Sequence, residues 1–136
     1  MPARAVPLPP ALDFLRDLWR LNHALQRASR QMARALGLTG PQRLIVRAIG
    51  AAPGVTAGEL ARLLHLDQGT ISVSLDRLEA DGVVRRAADP RDRRRVVLAL
   101  TARGRRHARP TAATIEGTVA ATLPRVPARD LVATRR

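Results

Sequence analysis

The chain has 136 residues, 46% of them apolar, which is enough for one domain with an ordinary core. Because it contains no cysteine, disulfides, thiolate nucleophiles and cysteine-ligated zinc are excluded, and two aromatic residues, Phe14 and Trp19, are too few to stack single-stranded nucleic acid. Arginine supplies all 24 basic charges against 11 carboxylates, and the net charge of +13 favours a polyanionic partner.

The N-terminal region is predicted to form a tail and then a long helix. Four prolines lie within the first ten residues, so we expect a flexible tail over residues 1–12. From Asp13 an apolar residue recurs every third or fourth position as far as Leu36, and Gly37 then occupies a typical helix-ending position. This helix of about 23 residues is longer than the usual 11 or 12, so we expect it to pack on something beyond its own domain.

A second helix is predicted after Thr39, because Pro41 suits the first turn of a helix. Pro53 and Gly54 break it. Its buried side is expected to consist of Leu44, Ile45, Ala48 and Ile49.

Two closely spaced helices follow in the middle of the chain. Thr56 and Glu59 form a capping box that predicts the start of a short helix. Asp67 is a natural N-cap for a helix running from Gln68 to about residue 81, which stops at Gly82. Only His65, Leu66 and Asp67 lie between the two helices. Two helices joined by such a short turn, the second with a good N-cap, are typical of a helix-turn-helix.

The second of these helices has one apolar and one polar face. Ile71, Leu75 and Leu78 fall on one stripe and are predicted to be buried. The opposite face carries small polar side chains, one valine and one arginine, which suit close approach to the edges of DNA bases. The candidate DNA-reading residues are Gln68, Gly69, Thr70, Val73, Ser74 and Arg77.

A charged hairpin is predicted next, with strands at Val83–Ala88 and Val96–Leu100 and a tip at Asp89–Arg95. Between Arg85 and Arg109 ten arginines face two aspartates, a net +8 that accounts for most of the excess charge. Arginines on such a tip can enter a minor groove, those on the stems can reach phosphates, and we expect the two aspartates to brace particular arginines. The candidate DNA-binding residues of the hairpin are Arg86, Arg91, Asp92, Arg93, Arg94 and Arg95.

One more long helix is predicted after Thr101, kinked or started by Pro110 and ended by Pro124 and Pro127. The piece from 130 to 136 is at most two turns. The apolar positions of the long helix are Ala108, Ala112, Ile115, Val119 and Leu123.

The sequence carries no signal for a membrane, a metal or a reaction. No stretch reaches the roughly 18 apolar residues of a membrane span, and the first ten residues lack a signal-peptide core. His23, His65 and His107 lack ligand spacing, and there is no catalytic triad, phosphate loop or carboxylate pair. We therefore expect a cytoplasmic, nucleoid-associated protein that is not an enzyme and has no cofactor, metal or membrane partner.

A set of motifs in this order resembles the MarR family of winged helix-turn-helix transcription regulators. The motifs are Gly37-Leu38-Thr39 through Gln42, Glu59-Leu60-Ala61, Leu78-Glu79-x-x-Gly82-Val83-Val84, Asp89-x-Arg91-Asp92-x-Arg94 and Leu100-Thr101-x-x-Gly104. The resemblance implies a mainly α fold with a small β-hairpin wing. It implies one domain over 13–136, in which 39–100 form the winged helix-turn-helix with its wing at 83–100, flanked by dimerisation helices at 13–37 and 101–136.

The resemblance also implies a homodimer in which each winged unit binds one half of a pseudo-palindromic operator on double-stranded DNA. Gln68 to Arg77 would then be the recognition helix, and Asp92 with Arg94 the wing pair whose arginine enters the minor groove. Family members often bind small aromatic effectors, which makes such an effector a further possible partner here. The expected dimerisation residues are Phe14, Leu18, Leu21, Leu25, Ile115, Val119 and Leu123.

Two alternatives and two departures from the family pattern remain. A basic architectural protein would use charge alone, without sequence preference, and a winged-helix module can also serve as a protein-docking unit. Arg43 stands where the family commonly has an aromatic or apolar residue, and the helix after Asp130 is short.

Overall fold

The computed structural model describes residues 7–134. Seven α-helices, a two-stranded antiparallel sheet and one 3₁₀ turn follow each other along the chain. Their bounds are α1 Pro10–Leu36, α2 Gly40–Ala51, α3 Ala57–Leu64, α4 Gln68–Ala80, β1 Val84–Ala88, β2 Val96–Leu100, α5 Ala102–His107, α6 Ile115–Thr122, the 3₁₀ turn Leu123–Arg125, and α7 Ala128–Thr134.

The long first helix is confirmed, but it begins earlier than predicted. It starts at Pro10, which lies in its first turn, where the fixed φ of proline suits a helix and the missing N–H costs no hydrogen bond. The predicted tail is therefore wrong for residues 10–12, and residues 1–6 of that tail lie outside the described part of the chain. The helix ends at Gly37, as predicted, with φ of 75° and its N–H donating to the carbonyl of Ala33.

Side-chain caps fix the starts of the next three helices. Thr39 caps α2 and Thr56 caps α3, each within a complete capping box. The Asp67 carboxylate accepts from the backbone N–H of Thr70 at 2.8 Å and so caps α4. Only three residues separate α3 from α4, and His65 among them adopts the left-handed conformation with φ of 51°. The predicted helix-turn-helix is confirmed.

The apolar core belongs to the segment 38–100, which we call the winged unit. The buried stripe predicted on α4 is confirmed, whereas the prediction for α2 is wrong at one position: Leu44 is 52% exposed and Val46 is buried instead. The core consists of Leu38, Ile45, Val46, Ile49, Val55, Leu60, Ala61, Ile71, Leu75, Leu78, Val83, Val84 and Leu98.

The hairpin is confirmed with the predicted tip and strands, except that β1 begins at Val84. Its register pairs Val84 with Leu100 and Ala88 with Val96. Gly104, in α5, packs directly beneath the hairpin. A Cβ at this position would lie 2.0 Å from the Val83 carbonyl oxygen, so only glycine fits.

The predicted helix after Thr101 is wrong as a single element. It divides into α5 and α6, and residues 108–114 between them are not helical. Pro110 lacks the N–H that a continuous helix needs, and Thr114 then starts α6 by accepting from the N–H of Gly117 at 3.1 Å. Within residues 7–134, no helix is both long and apolar enough to cross a membrane.

Candidate nucleic-acid interface

Helix α4 presents the polar face predicted for it. Its apolar stripe is buried, while Val73 is 72% exposed and Ser74 is half-buried. Two further residues of this helix, Ser72 and Asp76, are also exposed, and the sequence had not indicated them as DNA-reading residues. The other exposed residues among those predicted to read DNA are Gln68, Gly69, Thr70 and Arg77.

The hydroxyl groups of this face already make hydrogen bonds within the helix. Thr70 Oγ1 donates to Asp67 Oδ2 at 2.5 Å, and Ser74 Oγ donates to the Thr70 carbonyl at 2.9 Å. The hydrogen bonds from Thr70 hold the pKa of the Asp67 carboxyl below its ordinary value. The Asp67 side chain therefore stays ionised and accepts hydrogen bonds only.

The two aspartates of the wing tip hold the backbone of the tip rather than arginine side chains. Asp89 Oδ1 accepts from the N–H of Arg91 at 2.9 Å, and Asp92 Oδ1 accepts from the N–H of Arg94 at 3.0 Å. The expected bracing of guanidinium groups is thus wrong, apart from a 3.8 Å contact between Asp89 and Arg95. Such Asx turns fix the path of the tip backbone.

Arg86, predicted to bind DNA, forms ion pairs within the free protein. Its guanidinium donates to Glu79 and, at 2.7 Å, to Asp76, and its backbone N–H donates to Glu79 Oε1 at 3.2 Å. These contacts, the hydrogen bond to Asp76 first, raise the pKa of Arg86 above its ordinary value. Arg86 therefore joins β1 to α4, a role that no local pattern in the sequence indicated.

Arg95 makes the matching link from the other end of the tip. Its Nη2 lies 2.7 and 2.8 Å from the two carboxylate oxygens of Glu59. Glu59 also completes the capping box of α3, and the backbone hydrogen bond from Thr56 is the main cause that lowers the pKa of Glu59. In the free protein Arg95 therefore links the wing to α3, and its DNA contact stays a prediction.

The remaining predicted wing arginines stay available. Arg91, Arg93 and Arg94 are exposed, and their guanidinium groups have no hydrogen-bond or ion-pair partner within residues 7–134. Asp92 is exposed as well but is held in the tip turn. Of the six wing arginines, two thus fix the wing to the helices. The three at the tip and the exposed Arg85 on β1 form no ion pair within the described residues.

Away from the wing, α1, α6 and the 3₁₀ turn carry the residues predicted for dimerisation. Phe14 and Trp19 are each 65% exposed, and Val119 is also exposed. Ile115 is half-buried because it packs within the chain, where its N–H donates to Met32 Sδ at 3.4 Å. The other predicted dimerisation residues, Leu18, Leu21, Leu25 and Leu123, are exposed.

Arg43 forms a buried polar joint between α2 and the segment that leads to α6. Its side chain is only 2% exposed and donates to Glu116, to the carbonyl of His107 and, at 2.8 Å, to the carbonyl of Arg109. Arg47, one turn along α2, donates to the carbonyl of Ala108, which lies between those two residues. Burial first, then nearby arginines, lower the pKa of His107. The two arginines thus donate to three successive carbonyls at and just after the end of α5.

No group of three or more His, Asp or Glu residues that could hold a metal ion occurs in the described part of the chain.

A capped helix pair followed by an arginine-rich hairpin that is joined to both helices by ion pairs defines a winged helix-turn-helix protein. The MarR family model matches residues 36–95. The chain is 32% identical over 111 residues to the HTH-type transcriptional repressor Rv2887 of Mycobacterium tuberculosis, a match that covers 82% of this chain and 80% of that protein. The chain belongs to the MarR family of transcriptional regulators.

Two further relatives show the same likeness. The HTH-type transcriptional regulator TtmR of Methylorubrum extorquens is 42% identical over 83 residues, which are 61% of this chain and 43% of TtmR, so the match spans less than half of that relative. The crystal structure of the PcaV transcriptional regulator from Streptomyces coelicolor, in complex with its natural ligand, is 27% identical. It superposes with a TM-score of 0.70 over 97% of this chain and 92% of PcaV.

Proposed function

We propose that the protein is a sequence-specific regulator that binds double-stranded DNA and, as a homodimer, represses nearby genes. One observation carries the proposal: the wing is joined to α4 through Arg86 and to α3 through Arg95, while the three other arginines of the wing tip, Arg91, Arg93 and Arg94, have no guanidinium partner within residues 7–134. A wing used only for non-specific attraction would not need a fixed position relative to a recognition helix. The proposal places the protein in the cytoplasm, at the nucleoid.

In this proposal α4 reads the major groove. Arg77 is exposed, and its guanidinium has no partner among residues 7–134, so it can donate two hydrogen bonds to the O6 and N7 atoms of a guanine. Val73, the most exposed apolar residue of the helix, suits contact with a thymine methyl group. Gln68 and Gly69 lie at the N-terminal end of the helix, where backbone N–H groups favour a phosphate.

The wing is proposed to enter the adjacent minor groove. Arg91, Arg93 and Arg94 concentrate positive charge on a narrow tip, and minor grooves that are narrow, as in A·T-rich DNA, have the strongest negative potential. Asp92 contributes by fixing the backbone at Arg94, not by touching DNA.

The homodimer is proposed to form through the helices at 13–37 and 101–136. The apolar side chains of α1 are exposed along its length, and only Met32 of that helix is buried. A second copy would cover this stripe and present two winged units to a pseudo-palindromic operator, with half-sites about 10 base pairs apart, centre to centre.

Repression is proposed to be relieved by a small aromatic effector that binds between the dimerisation helices and the winged unit. Support comes from PcaV, whose structure holds its natural ligand and which is 27% identical to this chain. In this chain the joint made by Arg43 connects those same two parts, so a ligand that separated them would act on it.

A gel-shift titration at physiological salt tests the proposal, with DNA from upstream of the gene and a random duplex of equal length. We expect affinity for the upstream DNA to be higher by about 10³-fold or more. Equal affinities that fall together as salt rises would favour the alternative, a basic architectural protein, and would overturn the proposal.

A further inference from the structure

We infer that Thr70 and Ser74 read DNA as hydrogen-bond acceptors only, so that the half-site turns adenine or cytosine amino groups toward them and leaves guanine to Arg77. The inference rests on the proposed function and deepens it by naming the bases that this helix selects. Its basis is the direction of two hydrogen bonds inside α4.

The hydroxyl proton of Thr70 is already in use. Thr70 Oγ1 lies 2.5 Å from Asp67 Oδ2, and Asp67 Oδ1 accepts the backbone N–H of the same threonine at 2.8 Å. An ionised carboxylate has no proton to give, so the hydroxyl must be the donor. A hydrogen bond to a charged acceptor is stronger than one between neutral groups, so a base acceptor is a poor competitor for this proton.

Ser74 is arranged in the same way, one turn further along the helix. Its Oγ donates at 2.9 Å to the carbonyl of Thr70, a common choice for serine within a helix. Each hydroxyl has a single proton and two lone pairs, so both side chains now offer lone pairs alone. Ser72 carries a hydroxyl too, but it lies about 160° around the helix from Thr70 and so faces a different part of the groove.

These lone pairs discriminate among the four bases. In the major groove adenine presents an N6 amino group and cytosine an N4 amino group, which can donate to an acceptor. Guanine presents O6 and N7, and thymine presents O4, all of them acceptors. Two acceptors facing each other leave both unsatisfied, which costs binding free energy. We therefore expect guanine opposite Arg77, the exposed guanidinium of this helix, and not opposite the two hydroxyls.

The experiment is protein-bound DNA sequencing with the full chain, from a randomised duplex library, for the wild type and for Asp67→Asn. Asparagine still caps the helix through its side-chain oxygen, but its NH₂ group replaces the acceptor of the Thr70 proton. That proton is then free to be donated to a base. We expect the variant to accept guanine or thymine about three- to tenfold better, relative to adenine or cytosine, at one position of each half-site.

Two substitutions at Thr70 serve as controls. Thr70→Ser keeps the hydroxyl and its donation to Asp67, so we expect an unchanged base preference. Thr70→Val removes the lone pairs, so we expect the preference for an amino group to disappear at the same position, which identifies that position independently. Loss of the Asp67 charge is expected to raise the affinity for all DNA sequences alike. The base preferences of the wild type and the variants are therefore compared at the same fraction of bound DNA.

A chemical probe completes the test without any change in the protein. Replacing the adenine at that position by 2-aminopurine moves the amino group out of the major groove while pairing with thymine is kept, and wild-type affinity should fall about three- to tenfold. A wild-type preference for guanine or thymine there, or identical profiles for the wild type and Asp67→Asn, would overturn the inference and leave the regulator function standing. A wild type without any preferred site would overturn both.

Discussion

The winged unit and the outer helices, by which we mean α1, α6 and α7, differ in whether their apolar stripes are buried. In the winged unit, the stripe on α4 is completely covered by the chain itself, as Leu75 is 0% exposed. On α1 an equally regular stripe is left open, with Leu18 45% exposed, and no residue of α6 or α7 is buried. A periodic stripe thus predicts that a helix has a partner, but not whether that partner is in the same chain.

The two regions also differ in how polar groups are used. The winged unit holds its wing with three ion pairs at its surface, whereas the buried guanidinium of Arg43 connects it to Glu116 of α6. Surface ion pairs contribute little to the free energy of unfolding. A buried arginine that loses its partners, in contrast, destabilises the protein strongly. The comparison therefore predicts different sensitivities for the two regions.

The largest effect is expected from Leu75→Ala in the core of the winged unit. Truncating a fully buried leucine removes its packing and leaves a cavity, which should lower the free energy of unfolding by about 2–5 kcal/mol. Thermal unfolding followed by circular dichroism measures the loss, which should be the same at every protein concentration.

Leu18→Ala is the matched control on α1. It should leave the winged unit folded and weaken self-association instead, as seen by sedimentation at several concentrations. If Leu18→Ala destabilised the monomer as much as Leu75→Ala does, the stripe of α1 would have to be covered within the chain, and the contrast between the two regions would fail.

Arg43→Met is expected to have the next largest effect, because it separates the two regions. Methionine fills much of the volume but leaves the carbonyls of His107 and Arg109 without their donor, at a cost of about 1–3 kcal/mol. Hydrogen exchange should speed up in residues 107–116 and stay slow in α4.

Glu116→Gln is the control for the ion pair within that joint, since it removes the charge and keeps a hydrogen-bond acceptor for Arg43. We expect a smaller loss than for Arg43→Met. An Arg43→Met protein as stable as the wild type, with unchanged exchange in 107–116, would show that apolar contacts alone join the two regions.

Sequence reasoning succeeded where the cause is a local capping or turn pattern and failed where side chains of different elements meet. The capping box of Thr56, the cap at Asp67 and the hairpin tip depend on residues at most seven positions apart, and each was predictable. Arg95 binds Glu59, which lies 36 positions away in the sequence, and Arg43 binds Glu116, which lies 73 positions away. No local sequence pattern extends over such separations. The charge count therefore identified the wing correctly, but it gave no sign that Arg86 and Arg95 form ion pairs within the protein.

Arg77→Ala is predicted to weaken DNA binding by about 1–3 kcal/mol, and only for sites that carry the contacted guanine. The reason is that a lost bidentate contact removes base discrimination, not general attraction. Titrating the variant against the preferred site and against the same site with that guanine replaced measures the effect. Equal losses on both duplexes would mean that Arg77 contacts the phosphate backbone.

The smallest effect is expected from single arginines of the wing, and it sharpens the division between free and fastened ones. Arg94→Ala removes a free cation, so the plot of log affinity against log salt should become shallower by about one unit, with the loss of protection concentrated on an A·T-rich flank. Arg95→Ala is the matched change at the next residue, and because Arg95 is bound to Glu59 it should leave that slope unchanged. Binding curves at four or five salt concentrations compare the two variants. Equal slopes for both would mean that Arg95 leaves Glu59 when DNA arrives, and the wing would then be held to α3 only in the free protein.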